Sequence, residues 1–214
     1  NEDTTITVST IGANDTDVEG NVVPSTIILI DPNNGANTGK TGTPLVISEI
    51  GSYSVDPLGN VKFTPVLNFN GTADIEYTIK DNSDLISNKG VIGITITPVN
   101  DAPKAIANSG TVQEDAVLSI SAIGANDTDV DGNVVPSTII LIDPNNAANT
   151  GNSTTPLVIA NVGTYTVDAN GNVAFTPVQD FAGDADIRYT INDNSGFTSN
   201  QATLDITVFA VNDA

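Results

Sequence analysis

The chain of 214 residues carries 26 acidic and 6 basic side chains, a formal charge of −20, yet 39% of its residues are hydrophobic. That pairing describes a folded protein with an acidic surface and disfavours nucleic acid and anionic lipid as partners. Cys, His, Met and Trp are all absent, which excludes the usual zinc and transition-metal sites, a thiol nucleophile and an imidazole base, and leaves oxygen atoms as metal ligands.

No apolar run approaches the length of a membrane span, and the chain does not open on a basic-plus-apolar signal peptide, so direct membrane insertion is not expected and any export signal is expected outside residues 1–214. In chain order, residues 4–11, 25–30, 44–48, 52–56, 60–64, 74–80 and 91–98 are short runs rich in Val, Ile, Thr, Tyr and Phe, separated by Gly, Pro, Asn and Asp. Each reads as a strand. No stretch keeps a 3.6-residue apolar period, so helix should be scarce.

The pattern then repeats. STIGANDTDVEGNVVPSTIILIDPNNGANTG from Ser9 returns as SAIGANDTDVDGNVVPSTIILIDPNNAANTG from Ser121, an offset of 121 − 9 = 112 that holds to the end, with about 65 of 102 aligned pairs identical. Two copies of seven or so strands predict an all-β protein of two tandem antiparallel β-sandwich repeats, 1–102 and 103–214. Copy 1 begins at Asn1-Glu2-Asp3, the counterpart of Gln113-Glu114-Asp115, and so lacks the ten residues PKAIANSGTV that open copy 2; its first strand is expected to be missing. Further copies are expected on both sides.

In copy 2, YTVDANGNVAFTP predicts a hairpin with Asn170-Gly171 in its turn. Tyr77 and Tyr189 read as ordinary core or as tyrosine-corner residues. The aromatic pairs Tyr53/Tyr165, Phe63/Phe175, Phe69/Phe181 and Tyr77/Tyr189 recur at equal positions, as core residues would, and only Phe197 and Phe209 are unique to copy 2. With no aromatic-lined cleft in prospect, catalysis is not expected.

The sharpest chemical signal is DTDVDG. Asp127, Asp129 and Asp131 alternate ahead of Gly132, the spacing with which a calcium loop begins. An EF-hand requires a bidentate Glu at loop position 12; that position is Thr138, and Thr26 in copy 1, so the loop cannot close a site by itself. The same row also reads as a solvated Asx turn. Other acidic punctuation recurs: Glu2-Asp3 and Glu114-Asp115, Asp81 and Asp193 after the Tyr strands, Asn100-Asp101 and Asn212-Asp213 at the copy ends.

VNDAP (99–103), VQED (112–115), ANDTD (125–129) and YTIND (189–193), in that order, resemble the cadherin repeat and the cadherin-like repeats of large bacterial surface adhesins. The hairpin segment GTYTVDANGNVAFTP looks like that of bacterial fibril-type repeats. The cadherin L-D-R-E motif has no counterpart; LNFN (67–70) and QDFA (179–182) occupy its place, with only Asp180 acidic.

The resemblance implies that the all-β repeats are two tandem Greek-key (cadherin/Ig-like) β-sandwich repeats in an elongated arrangement, with Ca2+ held between them. Glu2 would come from the bottom of copy 1, Asn100 and Asp101 from the linker, and Asp127, Asp129 and Asp193 from the top of copy 2. Asp15, Asp17 and Asp81 would form the upper half-site of copy 1, while Glu114, Asn212 and Asp213 would begin the next junction. Asp131 is either a ligand or a solvated neighbour. The function so implied is a calcium-rigidified stalk of a bacterial cell-surface adhesin or fibril, secreted, with neighbouring repeats and like chains as partners. The alternative is a carbohydrate- or ice-binding module that uses Thr-rich strands such as 4–7 and 94–97.

Overall fold

The computed structural model describes residues 1–9 and 11–212. The chain divides into two compact units, Asn1–Val99 and Asn100–Ala214. In the second unit one sheet runs in the order Asn108–Gln113, Ala202–Phe209, Ile187–Asp193, Val134–Asp143, Asn146–Gly151, with Gly183–Asp184 also pairing Ala202–Phe209. The facing sheet runs Leu118–Ile120, Val173–Pro177, Gly163–Val167, Leu157–Ile159. The chain crosses from the first sheet to the second after Gly151 and returns after Pro177, so strands consecutive in sequence fall on both layers of a β-sandwich.

Period-two alternation fills the space between the layers. In Ala202–Phe209 the residues Ala202, Leu204, Ile206 and Val208 are buried and their neighbours are more exposed. Tyr165 stacks on Phe175 at 4.5 Å and donates its hydroxyl to the Ala185 carbonyl at 2.8 Å, so the ring is buried without leaving a polar atom unpaired. Tyr53, Phe63 and Ala73 repeat the arrangement in the first unit. The recurring aromatics therefore are core, and among the described residues the one helical element is a 3₁₀ turn at Ile123–Asn126.

Besides the two-residue pieces Gly71–Thr72 and Gly183–Asp184, two longer strands lay outside the sequence expectation. Asn34–Lys40 and its counterpart Asn146–Gly151 are polar and show no apolar alternation. Side chains hold them: Asn149 Nδ2 donates to buried Asp143 at 3.1 Å and to the Val158 carbonyl at 2.8 Å, and Asn37 does the same with Asp31 and Val46. The expected hairpin forms between Gly163–Val167 and Val173–Pro177. Only Gly171 takes a positive φ, 79°, because the loop is closed by Asp168, whose Oδ1 accepts the N–H groups of Asn170 and Asn172.

The units differ at one edge. Asn108–Gln113 pairs parallel with Leu204 to Phe209, and among the described residues the first unit has no such strand. The corresponding run, expected as one strand over 91–98, is there two pieces, Gly90–Ile92 and Thr95–Ile96. At the break the Asp74 carboxylate takes the Ile94 N–H at 2.8 Å, out of the ladder. Asp186 takes the Ile206 N–H in the same way at 2.9 Å, yet that strand stays continuous, braced on its other side by Asn108–Gln113.

Candidate metal centre

The second unit gathers Asn100, Asp101, Asp127, Asp129, Asp131 and Asp193 at one end of its sandwich. Asp127 is placed by the 3₁₀ turn that precedes it and by Tyr189, whose hydroxyl lies 2.8 Å from Asp127 Oδ1; the Ile106 N–H donates to the same oxygen at 2.7 Å. Asp129 Oδ1 accepts the N–H groups of Asp131 and Gly132 at 2.9 and 2.7 Å, an Asx turn that directs the chain around the glycine. Asp193 Oδ1 accepts from Ser195 and Phe197, while its Oδ2 receives Asn100 Nδ2 at 2.6 Å. Asp131 Oδ2 accepts the Asp101 N–H at 2.8 Å, and carboxylate oxygens of Asp101 and Asp131 lie within 4.8 Å of each other. The turn and ligand-set readings of DTDVDG are thus compatible: one oxygen of each aspartate shapes the backbone.

The second oxygens carry the chemistry. Asp127 Oδ2 and Asp129 Oδ2 are both removed from water and accept no hydrogen bond. A buried carboxylate oxygen without a partner costs free energy that native proteins rarely tolerate. Burial pushes the Asp127 carboxyl above its ordinary pKa despite the Ile106 and Tyr189 bonds, which act in the opposite sense. Burial works the same way on Asp193, but the Asn100 side chain and the N–H groups of Phe197, Ser195 and Gly196 outweigh it and hold that carboxyl below the usual range. Carboxylate oxygens gathered with no imidazole or thiolate beside them suit a hard cation such as Ca2+. The donor set fits.

The first unit carries the same arrangement of aspartates. Asp15 receives the Tyr77 hydroxyl at 2.9 and 3.1 Å on its two oxygens, Asp17 Oδ1 accepts from Glu19 and Gly20, and Asp81 Oδ1 from Ser83 and Leu85. Burial, followed by the Asp15 carboxylate, pushes the Tyr77 hydroxyl up to about 12.

Within its own unit each glutamate stands at the opposite end from the aspartates. Glu114, 8% exposed, accepts the Val211 N–H at 2.6 Å and donates its own N–H to Phe209. Glu2, 3% exposed, is fixed likewise by Val99 and Thr97. Because Asn108–Gln113 runs from the Asn100 end toward Glu114, that end and the glutamate are about 20 Å apart along the sheet, at ~3.3 Å per residue. Each unit therefore has carboxylates at both ends of its sandwich. Asn212 follows Val211 at the glutamate end; Asp213 lies outside the described residues. The Thr-rich stretch 94–97 exposes Thr95 and Thr97, but its strand is only Thr95–Ile96, too short for a flat threonine array.

The sequence left one part of this site open and another unread. Asp131 joins through the Asp101 backbone, a contact 30 residues apart in the chain, and the Tyr189 hydroxyl supports Asp127 from 62 residues away. The DxDxDG spacing flagged the first; nothing local announced the second.

A family model described as bacterial cadherin-like domain matches residues 100–210, and one described as bacterial Ig domain matches residues 1–95. No curated protein sequence matches the chain. Among solved structures it is similar to protocadherin gamma B7 extracellular cadherin domains 1–4, with TM-score 0.42 and 16% identity over 75% of this chain and 39% of that one. It is also similar to Drosophila N-cadherin EC1-3, with TM-score 0.34 and 15% identity over 91% of this chain and 57% of that one. A third is chicken VE-cadherin EC1-2, with TM-score 0.35 and 16% identity over 98% of this chain and 93% of that one. The chain spans about two fifths and just over half of the first two.

Proposed function

The chain belongs to the bacterial cadherin-like domain family, and on that premise we propose that its repeats form a calcium-stiffened stalk of a bacterial surface adhesin. Its general character is that of extracellular, non-enzymatic, cell-adhesion β-sandwich repeats in tandem. The observation that carries the calcium reading is the pair of buried, unpartnered oxygens, Asp127 Oδ2 and Asp129 Oδ2.

In this reading Asp127, Asp129, Asp193, Asn100 and Asp101 hold Ca2+, with Asp131 in the same set and Glu2 contributed from the preceding repeat. Asp15, Asp17 and Asp81 serve the junction above, and Glu114, Asn212 and Asp213 the one below. Bound calcium supplies positive charge that like-charged carboxylates lack among themselves. The chain's own residues do the positioning: Tyr189 and Ile106 fix Asp127, the Asx turn fixes Asp129, and Asn100 fixes Asp193.

Without the cation, mutual repulsion favours separation of the acidic groups. Ligands drawn from successive repeats turn binding energy into stiffness of the linker. Extracellular calcium modules bind at about 10⁻⁴ to 10⁻³ M, a range matched to a secreted stalk. Association of like chains into a fibril is a further part of the proposal. Small-angle scattering with calcium and then with chelator tests the stiffening. A longer maximum dimension with calcium is expected; an unchanged one overturns it.

A further inference from the structure

The turn that follows the strand Asn146–Gly151 contains Asn152-Ser153-Thr154, an Asn-x-Thr triplet of the kind to which sugars are attached on surface loops. The same spacing occurs at Asn14, Asn70 and Asn126, with Thr16, Thr72 and Thr128. Geometry separates them. Asn152 Oδ1 accepts the Thr154 hydroxyl at 2.8 Å and the N–H groups of Thr154 and Thr155 at 2.9 and 3.0 Å. The Asn152 N–H donates to the Thr155 carbonyl at 2.7 Å and closes the turn. All three donors sit on the oxygen side of the amide, so Nδ2 points away from them, with Ser153, Thr154 and Thr155 exposed around it. Among the described residues, Asn152 alone of the four asparagines receives its triplet's threonine hydroxyl. Elsewhere the amide nitrogen is engaged: Asn126 Nδ2 donates to the Ala107 carbonyl at 3.3 Å, and Asn70 Nδ2 to Glu2 at 3.4 Å.

An amide nitrogen is a weak nucleophile because its lone pair is delocalised onto the carbonyl. It attacks once a proton is lost and negative charge gathers on the oxygen. Three donors aimed at Asn152 Oδ1 stabilise that charge, as an oxyanion hole does. We propose that Asn152 is an acceptor site for an N-linked sugar, delivered as a hexose activated by a nucleoside diphosphate. The bond from Nδ2 to the sugar C1 forms as the C1–O bond to the diphosphate breaks. The leaving diphosphate takes the electron pair, and the Nδ2 proton passes to a base of the transferring enzyme.

The position gives the sugar a role. Asn146–Gly151 and Leu157–Ile159 are outer strands of the two facing sheets, and the Asn152 turn joins them. Outer strands are templates for pairing with another chain, and a charge or a bulky hydrated group beside them opposes it. In the first unit exposed Lys40 stands at the position of Asn152 and Gly42 at that of Thr154, so charge guards the edge where the triplet is absent.

The test incubates the whole chain with a soluble glycosyltransferase directed to Asn-x-Ser/Thr and with UDP-glucose, and maps the hexose by peptide mass spectrometry. Asn152 should be modified about tenfold faster than Asn14, Asn70 or Asn126, a smaller margin than a buried oxyanion donor gives because the turn is open to water. In short synthetic peptides spanning the four triplets, where the turn geometry is lost, the rates should converge. Thr154→Ser should keep the modification and Thr154→Val should abolish it, with the melting temperature unchanged. Absence of hexose on Asn152 overturns the proposal, as does equal or faster modification at another triplet of the folded chain. Modification of the Thr154→Val chain at the parental rate, or peptide rates that keep the folded ranking, overturn the part given to the turn.

Discussion

The Tyr189 hydroxyl lies 2.8 Å from Asp127 Oδ1, so a ring anchored in the sandwich core sets the position of a carboxylate at its end. The second oxygen, Oδ2, can then be held away from water without collapsing onto the backbone.

Tyr189→Phe keeps the ring and removes that support. Calcium affinity should fall about tenfold, the lower end of what loss of a supporting hydrogen bond to a ligand costs. Isothermal titration with calcium reads the change. Equal affinities would separate the ring from the ion.

Asp127→Asn should act with opposite signs in two conditions. In chelator it removes a buried charge and should raise the melting temperature. In calcium it should remove most of the ion-induced rise, which for the parent is about 2.7 kcal/mol when calcium is one hundred times its dissociation constant. Paired thermal melts decide, and a variant destabilised equally in both conditions would argue against a ligand role.

Burial is the main reason that the Tyr53 and Tyr165 phenols ionise well above the ordinary tyrosine value, with Asp74 and Asp186, respectively, adding to it. An unfolded tyrosine ionises near pH ~10. Above that pH the unfolded chain releases protons that the folded protein keeps, so this stabilisation is complete below pH ~10 and is lost as pH rises toward the folded value. The urea midpoint should be flat from pH 7 to 9 and fall above 10. Tyr165→Phe should lessen the fall, at a cost of about 1 kcal/mol at neutral pH for the hydroxyl bond to Ala185.

Gly151→Ala should destabilise the second unit by about 2 kcal/mol, within the range of overpacking effects. A Cβ at Gly151 would collide with the Leu157 backbone nitrogen, and main chain cannot swing aside as a side chain can. Gly35→Ala, where a Cβ meets nothing, serves as the control and is already Ala147 in the second copy. Denaturant melts of both variants give the comparison.

The strands that alternate apolar and polar residues were legible in the sequence because burial on one face imposes that period. Asn146–Gly151 was not: its pairing depends on Asn149 reaching Asp143 and the Val158 carbonyl, which no local hydrophobic count registers. Likewise Asp127 and Asp129 could be singled out from spacing, whereas the loss of water and partners at their second oxygens is a property of the packed chain. The break at Gly93 went unread as well: glycine stands there where the second copy has Asp205, and a glycine inside a strand weakens it.

The parallel pairing of Asn108–Gln113 with Ala202–Phe209 has a mechanical consequence. These strands lie near the two ends of the second unit, so a pull on its ends drives them past each other along their length. The ladder bonds then share the load and must fail together; an antiparallel pair pulled the same way opens one bond at a time. Tension along the chain therefore meets the whole ladder of the second unit at once.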